Sequence, residues 1–109
     1  MGEFKINKKD LKPIAVGYGA CYATDLVMKK GMKVGYMYRE EPSDPMNGWV
    51  FMSGTESQEY MDDADNIAIY DTNTVANYDP KIIPFIECPV GTECERTADG
   101  KLQIIQSNT

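Results

Sequence analysis

Seventeen Asp and Glu residues, three Cys and no His are the groups from which this chain of 109 residues could build a reactive site. Without histidine there is no Ser-His or Cys-His nucleophilic pair, no imidazole acid-base catalyst and no usual zinc set. Ser43, Ser53, Ser57 and Ser107 have no evident base. Cys21, Cys88 and Cys94 do not have zinc-motif spacing. Their odd number, with no signal peptide, favours free buried thiols, although a turn at Pro89-Val90-Gly91 could bring Cys88 near Cys94. The catalytic readings that survive are a carboxylate pair and a Cys21 thiolate. Gly17-Tyr18-Gly19 lacks the third glycine and the long helix of a dinucleotide loop. A calcium loop starting at Asp63 fails, because Ile67 stands where an oxygen donor belongs and Ala68 where the glycine belongs. No cofactor and no metal is expected.

Charge is segregated along the chain. Residues 1–39 carry 8 Lys and Arg against 3 acids, while residues 40–79 carry 10 acids and no Lys or Arg. The net charge of −6 therefore comes from an acidic middle third. Phosphate neutralisation needs basic side chains, so nucleic acid is not an expected partner; the field suits a basic protein. Glu40, Glu41, Asp44, Asp62, Asp63 and Asp65 are the candidate partner-binding residues. Their alternative role is solubility alone. Arg39 with Glu40 is the candidate polar pocket, with an edge ion pair as its alternative. Trp49 could anchor an interface, but its alternation with Phe51 favours the core.

The elements that must position these groups are short. Residues 1–12 read as a polar arm with a possible edge strand at Phe4–Ile6, and 107–109 as a disordered tail. Ile14–Tyr22 reads as a glycine-interrupted strand, followed by a helix over Leu26–Lys30 capped by Thr24 or Asp25 and ended by Gly31. Lys33–Glu40 alternates with a period of two and reads as a strand. A Pro- and Gly-bearing loop, 41–48, leads to a strand over Trp49–Met52, expected to pair antiparallel with it. Ser53 with Glu56 and Thr55 with Gln58 match capping boxes for a helix whose acids, Glu56 included, face water. Ile67–Tyr70 reads as a strand, Asp71 and Asp79 as helix caps, and Pro84 as a kink. Ala98-Asp99-Gly100 joins a hairpin of Thr92–Thr97 and Lys101–Gln106. The pattern predicts one α+β domain over 1–109, a mainly antiparallel sheet of about four to six strands with two to four short helices packed against it. No apolar run approaches the about 18 residues of a spanning helix, so a cytoplasmic location without membrane contact is expected.

Three stretches together resemble one bacterial family: ACYATDLVMKKGMKVGYMYRE, DPMNGWVFMSGTESQEYMDDADNIAIYDTNTVANYDP and IIPFIECPVGTECER. They are similar to immunity protein family 33 of bacterial polymorphic toxin systems, from about Ala20 to Arg96. Where the family pattern sets an acidic residue before Gly-Trp, this chain has Asn47. The resemblance implies a non-catalytic protein that neutralises a cognate toxin domain by direct contact, and it brings no catalytic motif. The alternatives are a small ligand-binding or regulatory domain, or a homodimer formed through the Tyr36/Tyr38 face or a free sheet edge.

Overall fold

Alternation, capping residues and turn glycines divide the chain into short elements. A computed structural model describes residues 8–106. Strands β1 (Ala20–Thr24), β2 (Tyr36–Arg39), β3 (Met46–Met52), β4 (Ile67–Asp71), β5 (Glu93–Arg96) and β6 (Leu102–Gln106) alternate with helices α1 (Asp25–Met28), α2 (Gln58–Asp62) and α3 (Thr72–Tyr78). Three-residue-per-turn helical segments add Lys8–Asp10, Ala64–Asn66 and Pro80–Phe85. The strands form one sheet in the order β4-β1-β3-β2-β5-β6. Every neighbouring pair is antiparallel except β1 with β3, which run parallel. The architecture is α+β, as expected.

Strand periodicity sends alternate side chains to opposite faces. On one face Cys21, Ala23, Met37, Trp49, Phe51 and Cys94 are fully buried, and Val27 and Met28 of α1, Val75 and Ala76 of α3 and Ile82 close over them. The Trp49 and Phe51 rings stack with centroids 5.9 Å apart. Burying such a pair removes several hundred Å² of apolar surface from water, so this layer dominates the stability. The Trp49 indole N–H donates to the Ile86 carbonyl at 2.8 Å, which satisfies its one polar atom. The opposite face carries Tyr22, Val50, Tyr36 and Tyr38; α2 and the Ala64–Asn66 turn border it, and Val50 is buried there.

Two glycines allow backbone contacts that no other residue would. Gly48 has φ +93°, and a Cβ there would stand 2.1 Å from the Glu40 carbonyl oxygen; a Cβ on Gly35 would stand 2.0 Å from that of Ser53.

Several boundaries differ from the sequence reading. The first strand is Ala20–Thr24, not Ile14–Tyr22, because the Asn73 side-chain carbonyl accepts from the Ile14 and Ala15 amides at 2.9 and 2.8 Å and takes those donors from any ladder. Asn47 and Gly48 lie inside β3 rather than in a loop. The second helix starts at Gln58 under a Ser57 cap, so neither expected box caps it, but half of the Ser53/Glu56 box is present. The Glu56 carboxylate accepts from the Ser53 and Gly54 amides at 2.8 and 2.9 Å, and also from the Thr24 hydroxyl at 2.7 Å. That occupies Thr24, which leaves α1 without a side-chain cap bond. Asp71 and Asp79 do cap as expected. The expected Phe4–Ile6 strand and the 107–109 tail lie outside the described residues.

Candidate protein–protein interface

The sheet face opposite the core is built by register. Ile69 of β4 pairs with Tyr22 of β1, Tyr22 with Val50 of β3, Val50 with Tyr38 of β2, and Tyr38 with Glu93 of β5. These five residues make one row across five strands. Ile69 is 58% exposed and Tyr22 38%, so the row begins as open apolar surface. The Tyr36 and Tyr38 rings lie beside one another, centroids 5.7 Å apart, and the Tyr36 hydroxyl donates to Glu93 at 2.6 Å. Burial, then the Glu93 carboxylate, raises the Tyr36 pKa.

Along this row α2 and the turn after it wall a groove of about 320 Å³. Tyr22, Tyr38 and Val50 line it from the sheet and Met61, Ala64 and Ile67 from beside it, with two acids, Glu40 and Asp62, completing the lining. Burial, and secondly the charge of Glu40, raise the Tyr38 phenol pKa. No Lys or Arg is among the lining residues. A second depression of about 540 Å³ lies along Met52–Glu56 and carries both signs, with Lys33 and Arg96 beside Glu56 and Glu95. Its Glu56 carboxylate is already occupied by Thr24 and two amides, which leaves that depression a structural corner.

The structure places the candidate acids in two groups. Glu40, Glu41 and Asp44 sit on and after the end of β2, and Asp62, Asp63 and Asp65 at the end of α2; all six are exposed. Glu40 and Asp62, far apart in the chain, meet at the groove. Asp62 accepts from Gln58 at 2.8 Å, and Asp63 accepts from the Asp65 amide at 3.0 Å. Arg39 does not join Glu40. It turns toward the core, donating to the Asn47 and Cys88 carbonyls at 2.9 and 2.7 Å with its guanidinium 5.9 Å from the centre of the Trp49 ring. Neighbouring residues at a strand end point to opposite sides, which parts this pair. Tyr22, Ile67 and Ile69 also belong to this face, a role that no local pattern in the sequence assigns to them. The alternation of Tyr36 and Tyr38 was the one local signal of it.

All three cysteines are free, and burial pushes the Cys21 thiol up to about 12 and Cys94 to about 11, so both are protonated at neutral pH. Among the described residues no group of three or more Cys, Asp or Glu could hold a metal ion, and no helix is long and apolar enough to cross a membrane.

No curated protein and no solved structure matches the chain. The family model of the Immunity protein Imm33 domain matches residues 21–106, every strand of the sheet but the first residue of β1 included, and the chain belongs to that family.

Proposed function

We propose that the protein neutralises a cognate toxin domain by direct contact, in the cytoplasm, and that the sheet face opposite the core is the contact surface. The observation that carries this is the row from Ile69 to Glu93, in which exposed Ile69 and Tyr22 and partly buried Tyr38 and Glu93 flank a buried Val50, with the exposed acids Glu40 and Asp62 beside it. A desolvated aromatic centre with a charged rim is the anatomy of a protein interface. Membership of an immunity-protein family supports a toxin as the partner. The acids of 40–79, with no Lys or Arg among them, favour a toxin with a basic surface and would steer the encounter. Binding then masks the toxin without any reaction.

The test is co-expression with a candidate toxin domain taken from a neighbouring reading frame, followed by co-purification and a growth-protection assay. Ile69→Lys alters an exposed edge-strand position and should weaken binding tenfold or more, and protection with it. Raising salt should slow association. A toxin bound equally well by Ile69→Lys and by a Tyr22→Glu variant, both folded, overturns the assignment of this face.

A further inference from the structure

Resting on that reading, we propose that the groove is a socket for one arginine side chain of the toxin. At about 320 Å³ it lies at the small end of ligand sites, which span roughly 300–1,000 Å³. It also opens onto a flat face, so it suits one long side chain entering from a partner better than a free metabolite. Tyr22 and Tyr38 are the aromatic members of the lining, and Val50, Met61 and Ile67 supply apolar contacts for a methylene stem. The two carboxylates, Glu40 and Asp62, belong to the same lining, which contains no Lys or Arg to neutralise them. Gln58 satisfies one Asp62 oxygen, and no hydrogen bond of the described residues reaches the Glu40 carboxylate.

Docking would strip water from both carboxylates. A partner offering only apolar groups would leave that charge uncompensated, which is strongly unfavourable. A cation removes the penalty. Between the two basic side chains, a guanidinium fits better: it is planar, stacks on aromatic rings, sheds water more readily than an ammonium and reaches two carboxylates from one fork. The groove thus selects arginine within the broader apolar contact.

The experiment is an NMR titration of the ¹⁵N-labelled protein with N-acetyl-arginine amide, with N-acetyl-lysine amide and N-acetyl-norleucine amide as controls. Saturable shifts are expected at the Tyr22, Tyr38, Val50 and Met61 amides, with a Kd on the order of 1 mM. The Glu40→Gln/Asp62→Asn double variant, changed only at exposed positions and checked for an unaltered melting temperature, should bind at least tenfold more weakly. Norleucine amide should give no saturable shift. Absence of arginine binding, or equal binding by lysine or norleucine amide, overturns the socket. The Ile69→Lys co-purification reports separately on the face: a toxin lost by that variant, with the groove indifferent to arginine amide, overturns the socket and leaves the interface standing.

Discussion

The Asn47 side-chain nitrogen donates to the Thr72 hydroxyl at 2.8 Å, and that hydroxyl donates to the Gly19 carbonyl at 2.8 Å. The same nitrogen donates to the Tyr18 carbonyl at 3.0 Å, while the Asn47 oxygen accepts from the Trp49 amide at 2.9 Å. One carboxamide therefore ties β3 to the segment before β1 and to the start of α3. A carboxylate has no proton to donate to the Tyr18 carbonyl. Asn47→Asp should cost about 1–3 kcal/mol, the range for stranding buried polar groups. Urea unfolding at pH 7 measures it, and an unchanged midpoint would refute this account of why an amide suits position 47.

Asp79 is 1% exposed and serves three donors: the Val34 amide at 2.9 Å, the Lys81 amide at 3.2 Å and the Arg96 guanidinium. Arg96 in turn donates to the Val34 and Gly100 carbonyls at 2.8 and 2.6 Å. The pair locks the 3-10 segment after α3 to β5 and to the segment before β2. Removing one partner of a buried pair leaves the other charge stranded, so Asp79→Ala should lose about 3–5 kcal/mol. Arg96→Lys, which cannot form the fork, should fall between it and wild type. A loss below about 1 kcal/mol for Asp79→Ala in chemical denaturation would contradict the assignment.

Glu56 supplies a pH dependence. Burial raises its pKa, but the Thr24 hydroxyl and the Ser53 and Glu56 backbone amides outweigh burial, and the net shift is downward. A folded-state pKa below the unfolded one means the unfolded chain binds more protons at acid pH. Its contribution is present in full above the unfolded value of about 4.3 and is lost as pH falls through the lower folded value. Glu56→Gln should lower the melting temperature at pH 7 and flatten its decline below about pH 4.3. Trp49 fluorescence melts across that range provide the measurement; parallel slopes for variant and wild type would count against it.

Thiol labelling should separate the cysteines. Cys21 and Cys94 are fully buried with raised pKa values, whereas Cys88 is partly exposed. Iodoacetamide at pH 8 should modify Cys88 first, and the other two only at the rate of unfolding. Peptide mass spectrometry showing equal labelling at all three positions in the native protein would disprove this packing.

Elements governed by contacts a few residues long were legible. The hairpin of β5 and β6 follows from Ala98-Asp99-Gly100, and Asp71 and Asp79 announce helix starts because an Asx side chain caps an amide two residues on. The errors fall where a distant side chain takes over. Asn73 draws off the Ile14 and Ala15 amides from across the fold, and Thr24 recruits Glu56 from beyond two strands. No local pattern encodes either event. In the candidate interface, the exposed acids could be named from composition, but the apolar residues between them could not.

By itself the sequence determined the α+β class, the segregation of acid from base, the absence of imidazole chemistry and the family resemblance. The first three depend on composition, on periodicity and on interactions within one turn of chain; the resemblance rests on particular stretches such as GWVFMSGTES and NTVANYDP. Only the tertiary structure decided that β1 and β3 run parallel, that Arg39 turns toward Trp49 away from Glu40, and that Glu40 meets Asp62 beside Tyr22 and Tyr38. The physical reason is that sheet order, and the choice of which face the helices cover, come from the joint packing of residues far apart in the chain. A strand's alternation says that it has two faces; what lies against each is settled by the rest of the molecule.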